Sequence, residues 1–307
     1  MIISTRIHHV RAYWLAALIT FASLLLMVDQ AQAVKLDAQT IGQAVGTEAT
    51  VEEDGVVRAE WSRDDVPVTV GRMRLPPPAG LGSWAVFKAV PGGVMVMGDT
   101  VVFEDEITPA MDAAFAHGLK VTALHNHFIF DRPPVYFMHI EGHGRDAAPL
   151  ANGVDAIWDA IKAVRKAAPT PVSDFSGHVS ERTGKLAVAA LTKILGPKPD
   201  VKSGVVKFSF GRKGIMHGVP IGSSMGVTTW AAFTGNAEYA AVDGDFAMTA
   251  EEVQPVMHAL RDAGIQIVAL HNHMIGAKPF YYFLHFWGEG NPKDLALGVR
   301  SALDTQK

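Results

Sequence analysis

Apolar and polar residues in this chain follow two periods, and the periods recur in the same order twice. Alternation of period two, as in Val205-Val206-Lys207-Phe208-Ser209-Phe210, predicts a half-buried strand, because successive side chains on a strand point to opposite faces. Apolar runs at Trp84 to Val90 and Gly93 to Met97 predict two more, with Gly98-Asp99 as a turn or strand end. Glu106 to His117 and Glu251 to Ala263 carry apolar residues at helical spacing, and Gly118 and Gly264 stand where a C-terminal cap belongs. Leu119 to Phe128 and Val135 to Ile140 predict strands split by a proline-bearing turn, Arg132-Pro133-Pro134, which Lys278-Pro279 matches in the second copy. Short helices are expected at Ala38 to Val45 and Leu186 to Leu195, and closing helices from Leu150 and Leu295. The order α-β-β-β-α-β-β-α predicts an α+β fold of two homologous repeats. Each repeat is expected to be an antiparallel or mixed sheet with helices on one face, the two related by a pseudo-twofold axis.

The repetition is visible residue by residue. A shift of 146 positions lays Trp84 to Gly144 over Trp230 to Gly290 without a gap, with 23 of 61 pairs identical. Self-similarity on that scale marks an internal duplication of a domain-sized unit. The chain divides into residues 1–33, a first repeat at 34–168, a linker at 169–184 and a second repeat at 185–307. The linker reads as a surface crossing because it is rich in Pro, Ser and Gly and has no apolar period; its His178 has no counterpart.

Composition adds constraints. The first segment has a basic start (Arg6, Arg11), an apolar run from Ala12 to Val28 and the small-x-small sequence Ala31-Gln32-Ala33. That is the pattern of a cleaved secretory signal, so the mature protein is expected to be exported, periplasmic or secreted, with no membrane span after cleavage. With no cysteine in the chain, neither a disulfide framework nor a thiolate metal site is available. The formal net charge is -4, and no Lys/Arg stripe argues for nucleic acid.

The chemistry concentrates in a motif that also occurs twice. Leu124-His125-Asn126-His127 and Leu270-His271-Asn272-His273 are each followed, twelve residues after the second His, by another, His139 and His285. Residues two apart on a strand face the same way, so each pair projects together, and a strand folding back brings the third imidazole to the same face. Three imidazoles fill three corners of a tetrahedral site and leave one open. A nitrogen and oxygen site suits zinc first, with copper, iron, nickel or manganese as alternatives. Asp99 and Asp245, in matched Gly-Asp pairs, are the best carboxylate ligands. Glu106 and Glu252, at predicted helix starts, are the candidate general bases, although first-turn acids also serve the helix dipole. The contiguous His-Asn-His lacks the spacing of the nuclease motif of the same letters, and the cupin pattern lacks its glutamate.

On the Gly-Asp pair, the Glu-x-x-Pro-x-Met segments (Glu106 to Met111, Glu252 to Met257), the Ala-Leu-His-Asn-His cores and the later His with its Gly-x-Gly, the chain resembles the LppY/LpqO family of exported bacterial proteins, a domain of unknown function. The resemblance implies a fold group and an exported location, and it brings no established activity. Two functions are therefore expected as alternatives. One is a divalent-metal protein, extending to a hydrolase of envelope substrates in which the metal activates water. The other is a non-catalytic envelope protein that binds a ligand or partner, its histidines forming a structural, pH-responsive network.

Overall fold

The computed structural model describes residues 35–53, 55–172 and 184–307. The signal-peptide reading of residues 1–33, most of the linker and His178 lie outside the described residues.

In chain order the first repeat contains α1 (Ala38–Val45), β1 (Ala49–Val51), β2 (Val57–Ser62), β3 (Thr69–Val70), β4 (Met73–Arg74), β5 (Gly82–Val90), β6 (Gly93–Phe103), α2 (Glu104–Ala116), β7 (Lys120–Asn126), β8 (Asp131–Arg132), β9 (Val135–Gly144) and α3 (Ala147–Ala167). The second contains α4 (Val188–Leu195), β10 (Asp200–Lys202), β11 (Val205–Gly211), β12 (Gly214–Met216), β13 (Val219–Ile221), β14 (Thr228–Gly235), β15 (Ala240–Met248), α5 (Ala250–Asp262), β16 (Gln266–Asn272), β17 (Ala277–Lys278), β18 (Tyr282–Gly290) and α6 (Pro292–Asp304). Among the described residues no helix is long and apolar enough to cross a membrane.

Twelve strands form one antiparallel sheet in the order β1-β2-β5-β6-β9-β7-β16-β18-β15-β14-β11-β10. The repeats meet at its centre, where β7 and β16 join through the pair Leu124 and Leu270. Strand residues of one parity, including Phe87, Val96, Leu124, Met138 and Ile140 from the first repeat and Phe233, Val242, Leu270, Leu284 and Phe286 from the second, merge into one core with residues from helices α1 to α6. This is the burial that the period-two pattern demands of a sheet covered on one side.

Helix contacts reinforce the seam. Arg261 of α5 makes two 2.9 Å hydrogen bonds to the Asp112 carboxylate on α2. The Phe115 and His258 rings lie 4.1 Å apart, centroid to centroid.

The other face of the sheet carries two small apolar clusters without helix residues. Val101, Phe103, Val135 and Phe137 pack with Val66, Val68 and Leu81, beneath a three-stranded flap ordered β4-β3-β8. Ala247 and Phe283 pack with Ile221, Val227, Ala277 and Tyr281, beneath a matching flap ordered β13-β12-β17. These short strands escape a periodicity reading because two or three residues cannot display a period.

Gly98-Asp99 does not end a strand. It lies in the middle of β6, and Gly244-Asp245 lies likewise within β15. The glycine is required by close packing rather than by a turn. A Cβ at Gly244 would come within 2.2 Å of the Phe286 ring and 2.5 Å of the Trp230 carbonyl. Gly244→Ala is therefore expected to lower the unfolding free energy by about 1–3 kcal/mol, the usual cost of overpacking, as read from the urea midpoint at unchanged slope.

Candidate metal centre

Strand register assembles the motif residues on the helix-free face. In the first repeat one cross-strand row reads Trp84, Asp99, His139, Ala123, and the row beside it reads Val101, Phe137, His125. The second repeat repeats both rows, as Trp230, Asp245, His285, Ala269 and as Ala247, Phe283, His271. Because Leu124 and Leu270 pair across the seam and point into the helix-side core, their neighbours point the other way. Ala123 then stands beside His271 and Ala269 beside His125. The side chains Asp99, His139, His125, His271, His285 and Asp245 form one line across the centre of the sheet. Successive inner histidines are diagonal neighbours with Cα atoms roughly 7–8 Å apart.

Within each repeat the groups converge. One ligand atom each from Asp245, His271 and His285 lie within 4.8 Å of one another, and the two imidazoles stack at 5.0 Å with 12° between their planes. Two buried polar atoms in this trio, His271 Nε2 and Asp245 Oδ1, have no hydrogen-bond partner. Buried polar atoms are nearly always paired, and these two are free to take a further partner. The Nδ1 of His271 lies 3.1 Å from the Asn272 carbonyl, which leaves Nε2 as the nitrogen facing the site. In the first repeat His125 Nε2 and His139 Nε2 are 3.1 Å apart, His139 Nε2 is 3.6 Å from Asp99 Oδ2, and Asp99 Oδ1 is buried without a partner.

Electrostatics follow from burial. Asp99 and Asp245 are 8% and 5% exposed. Removal from water raises the pKa of each carboxyl above its ordinary value, and neighbouring imidazoles only partly offset this, His139, His127 and His125 for Asp99, and chiefly His285 and His271 for Asp245. Burial also lowers the pKa of His127 and favours its neutral, ligand-competent form.

The remaining sequence candidates are placed differently. His127 and His273 lie one residue beyond the ends of β7 and β16. His127 stacks on Phe137 at 3.4 Å, and His273 meets Phe283 at 4.8 Å and 60°. His127 also stacks on His125 at 5.1 Å, so it borders the trio of Asp99, His125 and His139.

Glu106 and Glu252 are not brought to the histidines. Glu106 is fully buried between Arg63, at 2.7 and 2.9 Å, and the backbone N–H of Phe103, at 2.9 Å. Glu252 accepts from Thr249 N, Arg212, Gln306 and Lys307 N. Burial opposes its ionisation, but the Thr249 and Lys307 N–H groups and the Arg212 guanidinium outweigh it and hold its pKa below the ordinary value. Both glutamates cap helices and anchor arginines, the fully buried Arg63 and the partly buried Arg212. The sequence reading gave no place to Ala123 and Ala269, which stand opposite His139 and His285 in the cross-strand rows. Their identity in both copies of Ala-Leu-His-Asn-His is the signal that could have found them.

The described chain is a helix-braced twelve-stranded sheet whose open face carries one Asp-His-His group with ligand atoms within 4.8 Å of one another and, in the first repeat, the equivalent residues. The chain belongs to the family described as Domain of Unknown Function (DUF1259), whose model matches residues 39–160 and again 189–305. No curated protein matches. Among solved structures, a trimeric bacterial microcompartment shell protein, PduB, aligns at 11% identity and a TM-score of 0.22, covering 84% of this chain and 89% of that one.

Two outcomes follow. Glu106→Ala removes the buried carboxylate shared by Arg63 and Arg165 and leaves Arg63 with Asp65 alone, so it should cost about 3–5 kcal/mol in chemical denaturation while leaving bound metal per folded chain unchanged. A raised carboxyl pKa in the folded state stabilises the fold below the unfolded value and loses that contribution as pH rises through the folded one. Asp245→Asn should therefore raise the melting temperature of the metal-free protein at neutral pH and flatten the decline that otherwise sets in as pH rises past the ordinary carboxyl pKa.

Proposed function

We propose that this protein binds divalent transition-metal ions, one through Asp245, His271 and His285 and one through Asp99, His125 and His139. The observation that carries this reading is the convergence of three ligand atoms within 4.8 Å with His271 Nε2 and Asp245 Oδ1 buried and unpartnered. A divalent ion supplies the cation that the buried carboxylates lack and the partner that the imidazole nitrogen lacks. Two histidines and one carboxylate leave coordination positions open to water or substrate. That donor set suits zinc, where a bound water becomes a nucleophile near neutral pH, and equally non-haem iron. Nothing covalent is asked of Glu106 or Glu252.

The repeats are inferred to be related by a pseudo-twofold axis through the seam. The central bridge joins Leu124 to Leu270, which are equivalent under the 146-residue shift. Under the same shift, the Asp112 and Arg261 pair becomes His258 and Phe115, which also touch. The narrower kinship with the LppY/LpqO proteins and an exported location belong to the same proposal. They are supported by the Glu-x-x-Pro-x-Met and Ala-Leu-His-Asn-His segments and by the apolar N-terminal run.

One observation favours the second reading, a structural histidine network. The His125 and His139 nitrogens at 3.1 Å can share a hydrogen bond when one ring is protonated or in the donating tautomer. Elemental analysis of untagged protein decides between the two. About two ions per chain are expected in the parent and about one in a variant with Asp245, His271 and His285 changed to Ala. Protein that takes up no zinc, copper or iron on incubation would leave the network reading.

A further inference from the structure

Both flaps expose apolar side chains that the fold does not use. On the first, Met73 and Ile129 are each 72% exposed and Phe130 83%; on the second, Ile275 is 80%, Val219 57% and Ile215 51% exposed. Scattered exposed apolar residues need no explanation, but these gather at the tips of two matched structures. Both flaps rest on the helix-free face through Phe137 and Phe283, so both sets of tips stand on the side of the sheet that carries the histidines.

Backbone strain makes the same point. Phe130 has φ +65°, a left-handed conformation that a bulky side chain adopts at a cost. Its equivalent in the second repeat is Gly276, at φ +86°, where that conformation is free of strain. A phenylalanine that is strained and largely in water contributes little to the fold. Its side chain is placed to meet something outside it.

Charge says what. The chain as a whole carries a net charge of -4, yet Arg72, Arg74, Arg132, Lys213 and Lys278 lie exposed beside the apolar tips. Of the acids near the first flap, Asp131 accepts from the Val135 N–H at 2.6 Å and Asp65 is held by Arg63, while Glu104, close to Asp131, stands at the start of α2. Apolar tips within a basic collar are the combination that holds a protein at an anionic lipid surface, the tips entering the acyl boundary and the cations facing the headgroups. A second copy is a poorer occupant, because two such faces would set arginine and lysine against arginine and lysine.

We infer that the two flaps dock this protein on an anionic lipid surface, through Met73, Ile129 and Phe130 on one flap and Ile215, Val219 and Ile275 on the other, with the Asp-His-His line turned toward that surface. The docking stands on exposure, strain and charge, independently of whether metal is bound.

The test is flotation of the purified protein with vesicles of phosphatidylcholine alone and of phosphatidylcholine with phosphatidylglycerol. Binding to the anionic vesicles is expected to be at least about tenfold tighter and to weaken as salt is raised. Changing Ile129, Phe130 and Ile275 together to Ser should weaken it by a further tenfold or so. Phe130→Gly should weaken binding while leaving the melting temperature unchanged or raised, whereas a residue needed for the fold would lower it. The inference is overturned if anionic vesicles are not bound, if binding survives the loss of the apolar tips, or if sedimentation shows those residues closing a dimer instead.

Discussion

Two carboxylates taken out of water govern the helix-free face of this protein. Asp99 and Asp245 sit in the middle of long strands, buried, each with an oxygen that no donor in the described structure satisfies. Their neighbours are imidazoles rather than arginines, even though the fold has arginines to spend on buried acids at Glu106 and Glu252. Burying an acid without a full counter-charge is costly, and the cost is removed when a cation joins the site. The glycine before each aspartate serves the same end, because it lets Phe286 and Ile140 close over the strand from the helix side while the aspartate faces the other way.

The seam converts two such sites into one surface. A single antiparallel bridge between equivalent leucines fixes which residues of β7 and β16 face the core, and the period of two then delivers His125 and His271 to the same open side. A slip of one residue at that bridge would send the histidines into the helix layer and the leucines into water. Register here is therefore held by the shared core, by the Arg261 and Asp112 pair and by the Phe115 and His258 contact on the helix side. The flaps complete the surface, since each uses the phenylalanine beneath a site histidine, Phe137 or Phe283, as its packing partner.

Much of this was legible in the sequence, for stated reasons. Duplication, the main strands and helices, and the His-x-His with its later His are long or repeated signals, and the family match over both repeats agrees with the duplication. Gly98-Asp99 misled because glycine next to aspartate is also turn chemistry; only the partner ring across the strand shows why glycine is needed. His127 and His273 looked like strand residues, but the strands stop at Asn126 and Asn272. Glu106 and Glu252 carried two meanings that sequence could not separate until Arg63 and Arg212, some forty residues upstream in each repeat, were seen to hold them.

Anomalous diffraction from crystals grown with zinc, with data collected on both sides of the zinc edge, tests the metal assignment most directly. One peak is expected bounded by Asp245, His271 and His285 and a second bounded by Asp99, His125 and His139. Zinc-grown crystals with neither trio occupied, or with zinc only on isolated surface histidines such as His117 or His217, would contradict it.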